Sequence, residues 1–478
     1  MGRDCMAVEL WAHQREGVER AFSENNFGWF FEAGTGKTRT AIETLRKIYS
    51  REGKVLSTLI LCPPVVIDNW KQEILKFSKI PLNRVHKLTG SGKSRIEHLA
   101  SQTEPGIFIT NYEALTMKGL YEELLKTNFD ILIYDESHRI KNPDAKRTKA
   151  CIQLADRARH RFVLSGTPVL RNLMDVWSQF RVLDGGDAFG KNFFVFRSQY
   201  FYNKNAYLSH VNFPDWRIRP NAESLISDMM KAKSMSVKKE DCLDLPPLVK
   251  KKIFVEMGAE QKKAYEEMKK HFITWLKTEA TTADLAITKA LRLQQIVSGF
   301  AKTERSVMAP EGSIYRFEDS PRTEALKELL EDLAPNHKVI VWACFKENYG
   351  QIREVCESLK LQYIELHGEI SQKKRDESII RFREDSEIRI VIGNQGAAGI
   401  GINLVEASYM IYFSRNFSLE HDIQSEARAY RAGSEQHQKI TRIDLVCKDT
   451  IDEEVLEALA NKQAIGELVL REIAGRLK

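Results

Sequence analysis

Five consecutive residues, Gly34-Thr35-Gly36-Lys37-Thr38, have the types and order to hold a polyphosphate. Glycines let backbone N–H groups turn toward one point without Cβ clashes. A helix starting there adds the positive end of its dipole. Lys37 would reach β- and γ-phosphates, and the Thr38 hydroxyl would hold Mg²⁺. The full G-x-x-x-x-G-K-T pattern fails at its first position, where Phe31 stands. Read alone, the run also fits a glycine-rich turn with a solvated lysine.

A second group lies downstream. Ile131-Leu132-Ile133-Tyr134 ends in Asp135-Glu136. An apolar strand carrying two carboxylates to a sheet edge suits metal binding by Asp135 and water activation by Glu136. The alternative is an exposed acidic turn. Then Leu164-Ser165-Gly166-Thr167-Pro168 ends another apolar run. Ser165 and Thr167 are small hydroxyl residues suited to sensing a γ-phosphate and coupling it to a neighbouring surface.

Phosphoryl transfer also needs cations against the developing charge. Arg428 and Arg431 stand three apart in Gln424-Ser425-Glu426-Ala427-Arg428-Ala429-Tyr430-Arg431, so on a helix they share one face. Upstream, Gly396-Ala397-Ala398-Gly399-Ile400-Gly401-Ile402-Asn403-Leu404 is dense in glycine and permits close approach to phosphate or to a nucleic-acid backbone.

The elements that must position these groups follow from periodicity. Apolar runs at 29–31, 58–62, 107–110, 131–134 and 162–164 alternate with amphipathic segments such as 40–48, where Ala41, Leu45 and Ile48 share a face. The pattern restarts at 339–344, 363–366, 388–392, 410–413 and 440–446, and Thr450-Ile451-Asp452-Glu453 reads as a capping box. This alternation predicts α/β architecture with mostly parallel sheets in two lobes. Between them, 187–303 is rich in aromatics and lysines and reads as mostly helical, with Leu245-Pro246-Pro247 as a candidate hinge.

The totals are compatible: 478 residues, 43% hydrophobic and a formal charge of +6 suit a globular chain of two or three domains with a mildly basic surface. Seven scattered cysteines include no C-x-x-C pair, which argues against a zinc ribbon or disulfide framework. No stretch is apolar enough to span a bilayer and no signal core opens the chain, so a cytoplasmic or nucleoid-associated protein (nuclear if eukaryotic), not a secreted one, is expected.

The order of these elements resembles the superfamily-two helicase-type motors, and within them the Swi/Snf-related DNA translocases. Leu10-Trp11-Ala12-His13-Gln14 is similar to the family's opening glutamine motif, where Gln14 would read adenine. Glu32–Thr38 matches motif I, in which the first P-loop glycine is not required. Pro63-Pro64-Val65-Val66-Ile67-Asp68-Asn69-Trp70 is similar to motif Ia, and Thr110-Asn111-Tyr112-Glu113 to motif Ib. Asp135-Glu136-Ser137-His138, with Arg139-Ile140-Lys141-Asn142 behind it, is the most family-specific stretch, and Ser165-Gly166-Thr167-Pro168 resembles motif III. Gly401-Ile402-Asn403-Leu404 matches motif V, and Gln424, Arg428, Arg431 and Gly433 fit motif VI. Ala427, Tyr430, Ala432 and Ser434 stand where aspartate, histidine, isoleucine and glutamine are usual, and Ala398 replaces a second motif V glycine.

The resemblance implies two RecA-like lobes with a helical insertion between them: lobe one over 1–186, insertions and linker over 187–317, lobe two over 318–478. It implies ATP and Mg²⁺ bound by Gln14, Gly34, Thr35, Gly36, Lys37, Thr38 and Asp135 in an interlobe cleft, with Glu136, Arg428 and Arg431 catalytic. Ser165, Thr167, Gly399, Gly401 and Gln424 would couple hydrolysis to movement. Duplex or branched DNA is the expected partner, touched by Pro63, Asn111, Lys141, Lys346, Gln395 and Asn403, with displacement of DNA-bound proteins as one output. A strand-separating helicase is the nearest alternative and would need a wedge, such as a hairpin within 187–303. A nucleic-acid-binding scaffold with a vestigial ATPase and a restriction-system motor subunit are further ones. The lysines at 231, 233, 238, 239 and 250–252 read as a solvated face or a duplex contact. The aromatic stretch 193–202 reads as core packing, with base stacking as the alternative.

Overall fold

The computed structural model describes residues 9–166, 172–206, 214–242, 245–278, 283–302, 314–318, 320–396 and 402–460, with the side chains of 65, 271–289 and 372 left aside. The chain divides into two compact units, Met1–Leu243 and Asp244–Lys478.

The first unit is built on strands β1 (Asn26–Phe31), β2 (Thr58–Cys62), β3 (Val85–Lys87), β4 (Ile107–Asn111), β5 (Ile131–Asp135) and β6 (His160–Leu164), followed by a short hairpin, β7 (Phe201–Asn203) with β8 (Trp216–Ile218), and by β9 (Ser234–Val237). Seven of these form one parallel sheet in the order β3-β4-β2-β5-β6-β1-β9. Strands β2, β4 and β5 are buried along their whole length, as expected of parallel strands covered by helices on both faces. Helices Lys37–Glu52, Ile67–Phe77, Lys146–Ala155 and Val176–Asp184 supply the covering. Lys37–Glu52 buries Ala41, Leu45 and Ile48, the face the periodicity predicts. The core reaches the aromatic stretch, where Phe180, Phe189, Phe196 and Phe201 pack in one cluster.

The second unit holds β10 (Leu248–Val255), an antiparallel hairpin of β11 (Phe300–Lys302) and β12 (Ile314–Arg316), then β13 (Val339–Ala343), β14 (Gln362–Leu366), β15 (Ile388–Asn394), β16 (Tyr409–Tyr412) and β17 (Ile440–Cys447). Six strands form a second parallel sheet, β10-β17-β16-β13-β15-β14. The two-lobed α/β expectation therefore holds.

The segment 187–317 is shared between the units. Up to Val237 it carries helices Phe193–Tyr200 and Ala222–Lys233, the β7–β8 hairpin and the seventh strand of the first sheet. Beyond Leu243 it carries β10, helices Ala259–Thr278 and Ala283–Val297, and the second hairpin. Leu245-Pro246-Pro247 lies at the boundary between the units. The lysine run is scattered over unlike elements. Lys231 pairs with Asp228, Lys233 with Glu24 and Lys250 with Glu426, while Lys250, Lys251 and Lys252 sit exposed on edge strand β10, where lysines discourage further strand pairing. No helix among the described residues is long and apolar enough to cross a membrane.

Candidate active site

In parallel α/β sheets, ligand-binding groups gather beyond the carboxyl ends of strands. In the first unit β5, β6 and β1 are neighbours, and their ends carry Asp135, Ser165 and the Gly34–Thr38 loop. Register aligns them: Asp135 lies opposite Leu164, Leu164 opposite Trp29, and Ser165 N donates to Trp29 O at 3.1 Å.

The loop needs its glycines. Gly34 and Gly36 have φ of +92° and +84°, a region L side chains rarely adopt. At Gly36 an added Cβ would stand 2.0 Å from Gln14 Nε2, so backbone and glutamine are in close apposition. Gln14 is buried, and its Oε1 accepts from Trp11 N at 3.0 Å. His13 Nε2 meets Thr35 O at 2.9 Å. The helix begins at Lys37, whose Nζ donates to Phe31 O at 2.7 Å and lies 3.6 Å from the Cβ position of Gly166. Thr38 follows on the first turn. The loop's entry is fixed by β9: Glu32 N donates to Val237 O at 3.0 Å, and Lys239 N to Glu32 Oε2 at 3.0 Å.

Asp135 is buried at the end of β5. Its Oδ2 accepts from Trp70 Nε1 at 2.8 Å and its Oδ1 from Glu136 N at 3.0 Å, while its carbonyl accepts from Tyr112 Oη at 2.8 Å. Burial and the neighbouring Glu136 charge push its carboxyl up to about 7, against the opposing pull of Trp70 and Lys37. Glu136 sits in the left-handed region at φ +51°, uncommon for a side chain of its size. Its Oε2 lies 3.4 Å from His138 Nδ1, which is also 3.2 Å from Ser165 Oγ. A short polar chain thus links Glu136 to the end of β6 through a buried histidine. Trp70, Tyr112, His138 and Glu32 are site-building residues that reading by motif leaves without a role. Their sequence signals are Glu32 at the head of motif I, the Asn69-Trp70 and Tyr112-Glu113 pairs, and the histidine after Asp135-Glu136-Ser137.

These residues fit Mg²⁺ in the manner of nucleotide sites. A buried, destabilised carboxylate at Asp135 and a threonine hydroxyl on the first turn after the loop would suit a cation completed by phosphate oxygens and water. Among the described residues no group of three or more His, Cys, Asp or Glu side chains forms a protein-only cage.

In the second unit, helix Leu419–Ala429 carries Gln424 and Arg428, both buried. Gln424 Nε2 donates to Glu420 Oε1 at 3.1 Å. Arg428 NH1 donates to Ile402 O at 3.1 Å, and Leu404 N donates to Arg428 O at 3.0 Å, so this helix is tied to the motif V segment. One expectation is corrected here. Arg431 does not share a helical face with Arg428, because the helix stops at Ala429. Tyr430 leaves helical geometry at ψ 84°, and the chain turns toward Gly433 at φ +102°. Thr167, Gly399 and Gly401 lie outside the described residues.

The expected nucleic-acid contacts differ in setting. Pro63 is buried. Asn111 is buried too and clamped by Arg95 and Glu113, at 2.7 Å each. Gln395 is buried and accepts from Asn416 N at 3.2 Å. Lys346 is exposed and paired with Glu369, Lys141 is half-buried, and Asn403 holds Arg383 through its carbonyl at 2.8 Å.

Residues 13–305 match the SNF2-related domain, and residues 321–433 match the Helicase conserved C-terminal domain. The chain is 26% identical, over 96% of its length, to 42% of an uncharacterized ATP-dependent helicase of Mycoplasma genitalium. It is 24% identical, over 97% of its length, to 25% of the TATA-binding protein-associated factor BTAF1 of Arabidopsis thaliana. The chain thus spans less than half the length of these relatives. The SWI2/SNF2 ATPase core of Sulfolobus solfataricus, solved in complex with dsDNA, aligns over 96% of this chain and 92% of its own at 22% identity, with a TM-score of 0.45.

Proposed function

The chain belongs to the SNF2-related domain family, and from that premise we propose that it is a DNA-dependent ATPase that translocates along duplex DNA and remodels DNA or displaces proteins bound to it. The observation that carries the reading is the convergence of Lys37, Asp135 and Glu136 beyond the ends of β1 and β5, which flank β6, beside a loop packed against Gln14. Gln14 reads the adenine. Backbone N–H groups of Gly34–Thr38 and the Lys37 ammonium hold the phosphates, with the helix N-terminus adding positive potential. Thr38 and Asp135 would hold Mg²⁺, which neutralises phosphate charge when bound. Glu136 orients the attacking water and accepts its proton, held at its angle by His138. Arg428 and Arg431 of the second unit supply the cations that transition-state charge requires.

Coupling follows from chain connectivity within each unit. His138 joins Glu136 to Ser165, and Arg428 joins Gln424's helix to the segment ending at Asn403 and Leu404. The Arabidopsis relative is named for association with a TATA-binding protein, which supports an output on DNA-bound proteins.

The test is ATP hydrolysis by the purified protein alone and with duplex, forked and single-stranded DNA and with RNA. Stimulation by duplex or forked DNA, abolished in Glu136→Gln, is expected. Preference for single strands would replace the reading with a strand-separating helicase. Stimulation by RNA alone would sink it, and hydrolysis under no condition would leave a vestigial site.

A further inference from the structure

One aromatic side chain at the phosphate loop is left open to solvent. Among the described tryptophans, Trp29, Trp70, Trp177 and Trp342 are buried and Trp216 is half-buried, whereas Trp11 is 37% exposed. A single exposed ring needs no explanation by itself. This one calls for one because of what it touches. Its Cζ3 lies 3.6 Å from the position that a Cβ on Gly36 would take, ordinary contact distance for a ring against the loop. Its backbone N donates to Gln14 Oε1 at 3.0 Å, and Trp11 is the residue from which helix Ala12–Glu24 starts.

Two other rings border the loop, and neither is available. Phe31 is fully buried. His13 is half-buried, meets Phe31 edge-on with ring centres 5.4 Å apart, and has its Nε2 committed to Thr35 O at 2.9 Å. His13 also supports the Trp11 ring, with centres 5.6 Å apart and planes tilted by 37°. Trp11 is thus seated against Gly36 and His13 and keeps open surface. The Gln14 amide, by contrast, is nearly enclosed: Gln14 is 5% exposed, its Oε1 is engaged by Trp11 and its Nε2 is pressed against Gly36. Such an amide edge can select a base but offers it little contact area. A base whose edge meets Gln14 lies within reach of the ring one hydrogen bond away. Tryptophan presents the flat apolar face on which bases stack, and stacking accepts any base because each has a π-face.

We propose that Trp11 stacks on the base of the bound nucleotide and supplies affinity that does not discriminate between bases, leaving the choice of adenine to Gln14. The assignment rests on the ATP-site reading above, and it adds to that site a residue outside the Gly34–Thr38 loop.

The experiment is isothermal titration of the full chain with ADP, GDP and inorganic pyrophosphate, each with Mg²⁺. The variants are Trp11→Ala and the conservative Trp11→Phe, both of which keep the backbone bond to Gln14. Loss of one stacked base in Trp11→Ala should weaken ADP and GDP by the same factor, about tenfold. Pyrophosphate carries no base, so its affinity should stay at the wild-type value, and Trp11→Phe should retain nucleotide affinity. Unchanged ADP affinity in Trp11→Ala overturns the proposal. An equal loss for pyrophosphate overturns it too, because Trp11 would then only support the loop. A loss for ADP with GDP spared would move the role to Gln14. A wild-type protein that binds none of the three would sink the nucleotide reading itself, and the base contact with it.

Discussion

Asp135, the proposed Mg²⁺ ligand, is held at a cost to the fold. An ordinary aspartate ionises near 3.8, and burial beside Glu136 pushes this one up to about 7. The folded state therefore holds a proton that the unfolded state releases, so the nucleotide-free protein loses stability as pH rises from about 4 toward about 7. Asn at this position cannot ionise. Asp135→Asn should raise the melting temperature of the nucleotide-free protein, more at pH 8 than at pH 5, while abolishing hydrolysis. Calorimetry at the two pH values checks this, and an equal gain at both would mean that Asp135 is not protonated in the fold. Trp70 opposes the shift through its 2.8 Å donation. Trp70→Phe should therefore move the acid limb of the hydrolysis profile to higher pH, which a pH–rate series reads directly. Asp135 and Glu136 were legible from their place after an apolar run. Trp70 was not legible as their partner, because 65 residues separate it from Asp135.

At the scale of elements, the loop and its helix tolerate no side chain at one point. Gly36→Ala would force a Cβ onto Gln14 in a backbone conformation that strains any L residue. Nucleotide affinity should fall at least about tenfold, taking strain of about 1–3 kcal/mol as the lower bound; isothermal titration measures it. In the second unit, helix Leu419–Ala429 is seated by a buried ionic cluster. Arg442 bonds Asp422 at 2.9 Å and Glu426 at 2.6 Å, Arg415 reaches Asp422 and Asp444, and both guanidinium groups lie over the Tyr412 ring. Burial and the nearby Arg442 push Arg415 down to about 10. Removing one member leaves buried charge uncompensated, so Arg442→Met should cost about 3–5 kcal/mol in urea unfolding. Central strands such as β2, β5 and β13 were legible because parallel strands buried on both faces read as unbroken apolar runs. Strands β3 and β9 were not, having three and four residues with little apolar signal. Strand β10 was hidden by Lys250-Lys251-Lys252, which an edge position permits and a central one would not. The end of the arginine helix was misjudged for a similar reason: nothing in Ala429-Tyr430-Arg431 marks a stop, and the turn follows from Gly433 two residues farther on.

At the scale of the whole molecule, the proposed nucleotide-binding groups and the arginines belong to different compact units. In the proposed site the first unit contributes Lys37 as a cation, near the buried Asp135 and its neighbour Glu136. A loose phosphoryl-transfer transition state needs more positive charge than one lysine provides, and an arginine supplied from elsewhere is worth about 10³–10⁵ in rate. Arg428→Ala should therefore lower kcat about a thousandfold or more while leaving nucleotide affinity near the wild-type value. Arg428→Lys should not restore the rate, since an ammonium lacks the planar fork. Arg428 also donates to Ile402 O at 3.1 Å, so a purely structural role must be separated from a catalytic one. The bond from Leu404 N to the Arg428 carbonyl uses backbone alone and survives the substitution. Single-turnover hydrolysis beside nucleotide titration makes the distinction. Lost rate with retained affinity and melting temperature places Arg428 in the reaction, and an unchanged rate removes it. Loss of both rate and melting temperature assigns it to anchoring the segment around Ile402, and the second unit's contribution then passes to Arg431.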